Sequence, residues 1–331
     1  MRAKPRDRAT VGLSAVVVAV SGDEPKVLAV RAAGEPAEAL PSGPLEPQHR
    51  TLEAGLRAWV EAQTHQGLGY VEQLYTFGDR GRQSAREAPL SRVLSIGYLA
   101  LAREARPGAP SGAVWRDWYR YFPWEDWRCG RPPILGRIAA GLRRWSAAAA
   151  TAAERGARAA RARVTFGLAG SAWNEEHALE RYELLYEAGL VPEAQRDRGG
   201  ARGAPPAAGE GAPMTADHRR ILATAIARLR GKIKYRPVVF ELMPPAFSLS
   251  QLQRTVEALA GVRLHKPNFR RLIERQGLVE ETGELTTDTG GRPARLVRFR
   301  REVLRERPAP GMRLPVARST PPGRRLPTMK S

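Results

Sequence analysis

Residues 247–300 read FSLSQLQRTVEALAGVRLHKPNFRRLIERQGLVEETGELTTDTGGRPARLVRFR, and the punctuation inside this stretch decides the fold of the carboxyl-terminal third. Ser248-Leu-Ser-Gln251 fits a capping box, in which a serine hydroxyl and a glutamine amide each satisfy a backbone N–H of the first helical turn. Phe247 ahead of the cap is placed to staple onto Leu252. Leu249, Leu252, Val256 and Leu259 then follow at spacings of three, four and three, so one face is apolar. Gly261 supplies a left-handed stop.

A turn over residues 262–266 leads to a second helix, with Pro267 suited to its first turn and Gly277 to its end. Phe269, Leu272, Ile273 and Gln276 share one side of it, whereas Asn268, Arg271 and Arg275 lie on another. Arginine pairs bidentately with guanine, and asparagine with adenine, in a major groove. Lys266, Asn268, Arg270, Arg271 and Arg275 are therefore candidate DNA contacts, and His265 beside them is expected to be exposed. Strand-like runs over 278–286 and 294–300 are joined by Thr289-Gly-Gly-Arg-Pro293, a hairpin whose Arg292 and Arg295 are candidate phosphate contacts. Ahead of all this, Ile221, Leu222, Ala225, Ile226 and Leu229 describe a helix expected to end at Gly231. Helix, capped helix, basic helix and basic hairpin make a winged helix-turn-helix. The alternative is a helical accessory or protein-interaction module with surface arginines.

The charge supports the first reading. Net charge is +20 over 331 residues. Residues 216–331 hold 25 Lys and Arg against 10 Asp and Glu, while the first 215 hold 29 against 24. A basic folded scaffold attracts polyanions, with double-stranded DNA the expected partner; arginine usage set by a GC-rich genome is the alternative. Apolar residues at 42% and charged residues at 27% exclude wholesale disorder and collagen-like composition. Cys129 stands alone, so no intramolecular disulfide and no cysteine-rich zinc site is expected, as suits a reducing compartment. The five histidines are scattered without ligand spacing. The apolar run over 11–20 is too short to span a bilayer. These features predict a cytoplasmic, nucleoid-associated protein with no membrane partner.

Toward the amino terminus, strands are expected over 11–20, 26–31, 70–77 and 93–101 and a helix over 52–64, an α+β layer. Residues 115–124, WRDWYRYFPW, are read as core beneath a loop rather than as a stacking platform. Residues 146–163, SAAAATAAERGARAARAR, have an arginine-studded face and are expected to continue a helix begun near Leu135 that docks through Leu142 and Trp145. A further helix carries Leu179, Tyr182, Leu185 and Tyr186 on one face. The run GGARGAPPAAGEGAP over 199–213 offers almost nothing to bury. The expected organisation is an α+β domain over 8–150, a helical connector over 151–194, a flexible linker over 195–214, the winged helix over 215–310 and a basic tail over 311–331.

Leu40-Pro-Ser-Gly43 followed by Thr51-Leu-Glu-Ala-Gly-Leu-Arg-Ala-Trp-Val-Glu-Ala-Gln-Thr64 resembles the loop and helix of a Nudix box. Taken with Lys232-Ile-Lys-Tyr-Arg-Pro-Val-Val-Phe-Glu-Leu-Met-Pro244 and Asn268-Phe-Arg-Arg271, the chain is similar to the Nudix-related transcriptional regulators of NAD metabolism, nearest to their alphaproteobacterial branch. The resemblance implies a Nudix-like α/β/α sandwich that senses a nucleotide, joined to a winged helix that binds promoter DNA as a homodimer, in a repressor of NAD biosynthesis or salvage genes. It implies a nucleotide effector, ADP-ribose, NAD or ATP, and no required cofactor. Nudix hydrolysis needs several glutamates on one helix to hold Mg²⁺ against a pyrophosphate. Here Ala58-Trp59 stands where Arg-Glu belongs, Ala62-Gln63 where Glu-Glu belongs, and His65 on the final glycine. Only Glu53 and Glu61 remain, so no catalytic residue and no metal ligand is expected. The loop Phe77-Gly-Asp-Arg-Gly-Arg82 is the candidate pocket rim: Arg80 and Arg82 would hold phosphates while Tyr75 or Phe77 stacks on a base. A metal-dependent Nudix pyrophosphohydrolase with an accessory nucleic-acid-binding domain is the competing function, and a structural adaptor a third.

Overall fold

The computed structural model describes residues 8–31, 37–79, 91–103, 112–198, 211–287 and 293–312. Its centre is a mixed sheet of β1 (Arg8–Ser21), β2 (Glu24–Val30), β3 (Ser42–Pro44), β4 (Tyr70–Phe77), β5 (Ser91–Leu101) and β6 (Ala113–Asp117). The strands lie in the order β4-β5-β1-β2-β6, with β3 also paired to β1. β1 runs parallel to β5 and antiparallel to β2 and β3. Its near-continuous apolar run is what burial on both faces demands. Leu13, Ala15 and Val17 meet Leu56 and Val60 of helix α1 (Leu52–Thr64) on one face. Val16 and Val18 belong to the core on the other face, with Ile221, Leu222 and Ala225 of a much later helix.

Between sheet and carboxyl terminus lie α2 (Ile134–Ala147), α3 (Ala152–Thr165), α4 (Ala178–Glu187), α5 (Pro192–Asp197) and α6 (His218–Tyr235). The single helix expected from Leu135 through residue 163 is broken into α2 and α3. Thr151 caps the second, its hydroxyl accepting from the Glu154 N–H at 3.1 Å, so a Thr-x-x-Glu start signal overrides the alanine run. α6 does not stop at Gly231 either. A Cβ there would lie 3.3 Å from a Glu176 carboxylate oxygen, so this glycine admits a neighbour rather than ending the helix. The segment expected to be a linker over 195–214 is structured at both ends. Its first residues belong to α5, Arg196 donates to the carbonyls of Met214 and Ala216, and Glu193 accepts from the Met214 N–H; residues 199–210 lie outside the described residues.

The carboxyl-terminal elements are β7 (Phe247–Ser248), α7 (Leu249–Ala260), α8 (Lys266–Gln276), β8 (Val279–Thr286), β9 (Ala294–Phe299) and the short α9 (Val303–Glu306). β7, β9 and β8 form a separate antiparallel sheet. The expected tail begins inside the fold: Met312 is buried and donates its N–H to the Ile233 carbonyl at 3.0 Å, while residues 313–331 lie outside the described set.

α6 belongs to two layers at once. It packs on β1, β4 and β5 as the sheet's second cover, and on α4 and α7 as the first helix of the winged domain. Ile221 approaches Gly97 of β5, and Lys232 binds Glu72 and Tyr70 of β4. This shared helix opens just after the boundary expected at residue 215. Below it, the aromatic run is core: Trp118, Tyr119, Tyr121, Phe122 and Trp124 are all buried. Beside that run Glu125, with no exposure, takes Arg181 of α4 at 2.5 and 2.8 Å and Arg230 of α6 at 2.5 Å. Burial pushes the Glu125 carboxyl up, but the two guanidiniums outweigh it and hold the group below the usual carboxylate range. Arg230 continues to the Leu259 carbonyl of α7, Tyr119 donates to that of Ala258, and the Trp127 N–H to that of Gly261.

Replacing Glu125 by Gln leaves two guanidiniums in the interior without a counter-charge, and is expected to cost about 3–5 kcal/mol in denaturant unfolding. A second prediction concerns acid. The Nδ1 of His218, at the start of α6, accepts the Leu40 N–H at 3.0 Å. Burial and Arg196 lower its pKa from 6.5 to about 4. The folded form refuses a proton that the unfolded chain accepts, so this contribution is constant above pH 6.5 and falls as pH drops toward 4. The full effect is on the order of 3 kcal/mol. Thermal midpoints measured across that range should fall more steeply for the wild type than for His218→Gln.

Candidate nucleic-acid interface and sensing site

Ser248 and Gln251 form the expected reciprocal cap: the serine hydroxyl accepts from the Gln251 N–H at 3.2 Å, and the Gln251 side chain accepts from the Ser248 N–H at 2.7 Å. α7 ends at Gly261, whose φ of 74° lies in the left-handed region. That position needs glycine twice over, because a Cβ would lie 2.4 Å from the Glu125 carbonyl oxygen. The turn into α8 is pinned by Glu257, which the sequence reading missed. This buried carboxylate accepts from Gln253 at 2.8 Å, Arg263 at 2.8 Å and the Leu264 N–H at 2.9 Å. An acidic residue within the apolar last turn of a helix, between Val256 and Ala258, was the available signal.

With its axis fixed in this way, α8 buries Phe269 and Ile273. Lys266, Asn268, Arg270, Arg271 and Arg275 are exposed, and among the described residues none makes a side-chain hydrogen bond or ion pair. Backbone N–H groups open the helix without a side-chain cap at His265. Between α7, α8 and the hairpin runs a groove of about 770 Å³ that Lys266, Arg270 and Arg295 share with Arg254 of α7, a cation the sequence reading did not single out. Arg295 is already engaged, pairing with Glu281 across the hairpin at 2.8 Å, as Arg298 does with Glu280 at 2.6 Å. That pair uses the Nη1 of Arg295, so the remaining donors of this exposed guanidinium can still meet a phosphate. Arg292 lies outside the described residues.

On the sheet side, the candidates separate. Leu74 and Phe77 both enter the core because a bulge between Gln73 and Thr76 shifts the strand's alternation. Phe77 is thus buried, against Gly97 and beside the Arg220 guanidinium, and is removed from the residues that can stack on a base. Tyr75 is 61% exposed and meets Phe77 edge-on at 5.4 Å. Arg80 and Arg82 lie outside the described residues. On α1 the atypical residues hold the loop before them. The Trp59 indole donates to the Pro44 carbonyl at 2.8 Å, and the Gln63 amide exchanges two hydrogen bonds with the Ser42 backbone, at 3.0 and 2.7 Å. A Cβ on Gly43 would lie 2.2 Å from the Trp59 ring, so the ring rests directly on that glycine. Glu53 pairs with Arg57, and Glu61 is exposed. Among the described residues no group of three or more His, Cys, Asp and Glu side chains could hold a metal ion, and no helix is long and apolar enough to cross a membrane.

Residues 239–299, from the turn before β7 to the end of the hairpin, match the family model of the NrtR DNA-binding winged helix domain. The carboxyl-terminal domain is an NrtR-type winged helix. Over 83 residues the chain is 43% identical to the ADPR responsive transcriptional repressor NtrR of Acinetobacter baylyi, a match covering 25% of this chain and spanning about a third (33%) of the length of that relative. Across both parts, the fold is that of Shewanella oneidensis NrtR, solved in complex with a 27mer DNA: TM-score 0.52 and 19% identity over 88% of this chain and 94% of that one. A MutT/nudix family protein from Enterococcus faecalis gives TM-score 0.51 at 14% identity, covering 91% of this chain and 90% of that one. The Nudix-like sandwich and the winged helix that the resemblance implied are thus both present.

The NrtR-type winged helix presents two kinds of side chain, and they should separate experimentally. Arg271→Ala is expected to cost roughly 1–3 kcal/mol on the preferred sequence and to relax one base position, whereas Lys266→Ala should weaken specific and random DNA alike. Competitive binding on both DNAs checks this, and equal losses for both variants would reverse the assignment.

Proposed function

We propose that the protein is a transcriptional repressor of NAD biosynthesis or salvage genes, acting as a homodimer on operator DNA at the nucleoid in the cytoplasm. Its amino-terminal domain senses an adenine nucleotide, with ADP-ribose placed ahead of NAD and ATP, and does not hydrolyse it. The observation that carries this reading is the free cationic face of α8 on a winged helix whose first helix, α6, is also the outer layer of the Nudix-like sheet. α6 then packs both on the strands of that sheet and on α7, the helix next to α8. The A. baylyi relative, named for its response to ADPR, supports the choice of effector.

The absence of turnover is inferred from α1. Trp59 and Gln63, standing where metal-binding carboxylates would be needed, direct their polar atoms to the backbone of residues 42–44. An indole cannot ligate Mg²⁺, and a neutral amide cannot balance its charge. In this reading the loop that would cradle a metal-bound pyrophosphate is fastened by direct hydrogen bonds. Tyr75, Arg80 and Arg82 are retained as ligand contacts, and Lys266, Asn268, Arg270, Arg271, Arg275, Arg292 and Arg295 as DNA contacts.

The test is binding to promoter fragments with ADP-ribose, NAD or ATP present. Log affinity should fall against log salt with a slope of about −0.9 per phosphate neutralised. The effector should raise the thermal midpoint without divalent metal and shift operator affinity, and by linkage operator should shift effector affinity by the same factor. A flat salt response removes the nucleic-acid reading. Mg²⁺-dependent release of product from ADP-ribose, lost in Glu61→Gln, would establish the pyrophosphohydrolase instead.

A further inference from the structure

The α2–α3 hairpin takes part in neither the DNA face nor the sheet layers, yet it encloses an open groove of about 790 Å³. The floor is apolar, built from Ala139 and Leu142 of α2, Ala159 and Ala162 of α3, and Leu168 beyond. The rim is cationic: Arg131, Arg143, Arg155 and Arg163 line it, and no Asp or Glu does. All four are exposed, and the described residues give none of them an ion pair. Two other arginines of α3 are matched, Arg158 by Glu154 at 2.6 Å and Arg161 by Glu187. The helix thus carries an ion-paired set and a second set, on the groove, without counter-charge. Ser146, only 7% exposed, also lines the groove, and its hydroxyl meets no donor or acceptor among the described residues.

We propose that this groove binds an amphiphilic anion, an alkyl chain lying on the alanine and leucine floor with a carboxylate or phosphate headgroup held by the arginine rim and Ser146. An apolar concavity of this size with a few convergent polar groups is the usual form of a small-molecule site. Free phosphate or a DNA backbone would satisfy the arginines but leave the floor wet. A second copy docked by twofold symmetry would set four arginines against four, since such an interface pairs a patch with itself. The chain's own terminal segment, residues 313–331, carries five Lys and Arg and no Asp or Glu, so charge keeps it from the rim.

The test is titration calorimetry on the full-length protein with decanoate and decyl phosphate as monomers, against decanol and inorganic phosphate. Both anions should bind once per chain, with decanol and inorganic phosphate at least tenfold weaker. Across octanoate, nonanoate and decanoate, affinity should rise about fourfold per methylene. Arg143→Gln combined with Arg155→Gln should weaken decanoate at least tenfold with thermal midpoint and operator affinity unchanged. Ala159→Phe, which fills the floor without altering charge, should do the same. Several results would overturn the proposal: no binding, or affinity indifferent to chain length or to these variants. Loss of operator affinity in the arginine variant would assign the rim to nucleic acid, and a change of oligomeric mass in Ala159→Phe would assign the groove to a second copy. Association with phosphatidylglycerol vesicles but not with monomeric decanoate would assign it to a lipid surface.

Discussion

A carboxylate with no solvent exposure, held between two equally buried guanidiniums, is the constraint on which the arrangement of this protein depends. Glu125 follows the aromatic run after the last strand of the large sheet, Arg181 comes from the connector and Arg230 from the helix shared by both domains. A buried charge is tolerable only when fully paired, and the pairing is directional. Three segments that packing alone would let slide are therefore held in one register. The carbonyls of Ala258, Leu259 and Gly261 extend the network into α7, so the axis of the helix that supports α8 is set by groups on the sensing side.

Seen from this network, α6 is less a member of either domain than the wall between them. One side is closed by the sheet, where Lys232 reaches Glu72 and Tyr70, and another by α4 and α7. A wall with both sides packed does not bend locally, because closely packed interiors shift between discrete arrangements rather than deforming continuously. The sheet and α7, the helix next to α8, thus share α6 as a packing partner.

The parts of this architecture that were legible in the sequence are those governed by local chemistry. The Ser248 to Gln251 cap, the glycines at 261 and 277 and the apolar run of β1 each follow from the nearest few residues. Misreadings arose where a distant partner decided. Gly231 looked like a helix end but lies inside α6, facing Glu176, and Phe77, a candidate to stack on a base, is turned inward by a bulge. Thr151 was a missed local signal, since its cap is readable from the Thr-x-x-Glu spacing alone. Glu125 could not have been singled out. A glutamate in an aromatic loop gives no sign that two arginines, 56 and 105 residues later, will close on it. At the candidate DNA face the side-chain chemistry of α8 was plain, whereas the engagement of Arg295 by Glu281 depends on a register across the hairpin.

The close approach at Gly261 bears on how such proteins can be recombined. At Gly261 the winged helix touches the sensing half backbone to backbone, with the Trp127 amide on the Gly261 carbonyl and no room for a single added carbon. Winged helices are often regarded as interchangeable heads, fit for any sensor given a suitable tether. This one is cut to its seat. Transplanted onto another sensor it would lack the surface that orients it, and a foreign head placed here would need the same missing side chain. Recombination among relatives should therefore preserve the seam as a unit, with Glu125, Trp127, α6 and Gly261 taken from one parent and crossovers falling outside the span from residue 125 to residue 261.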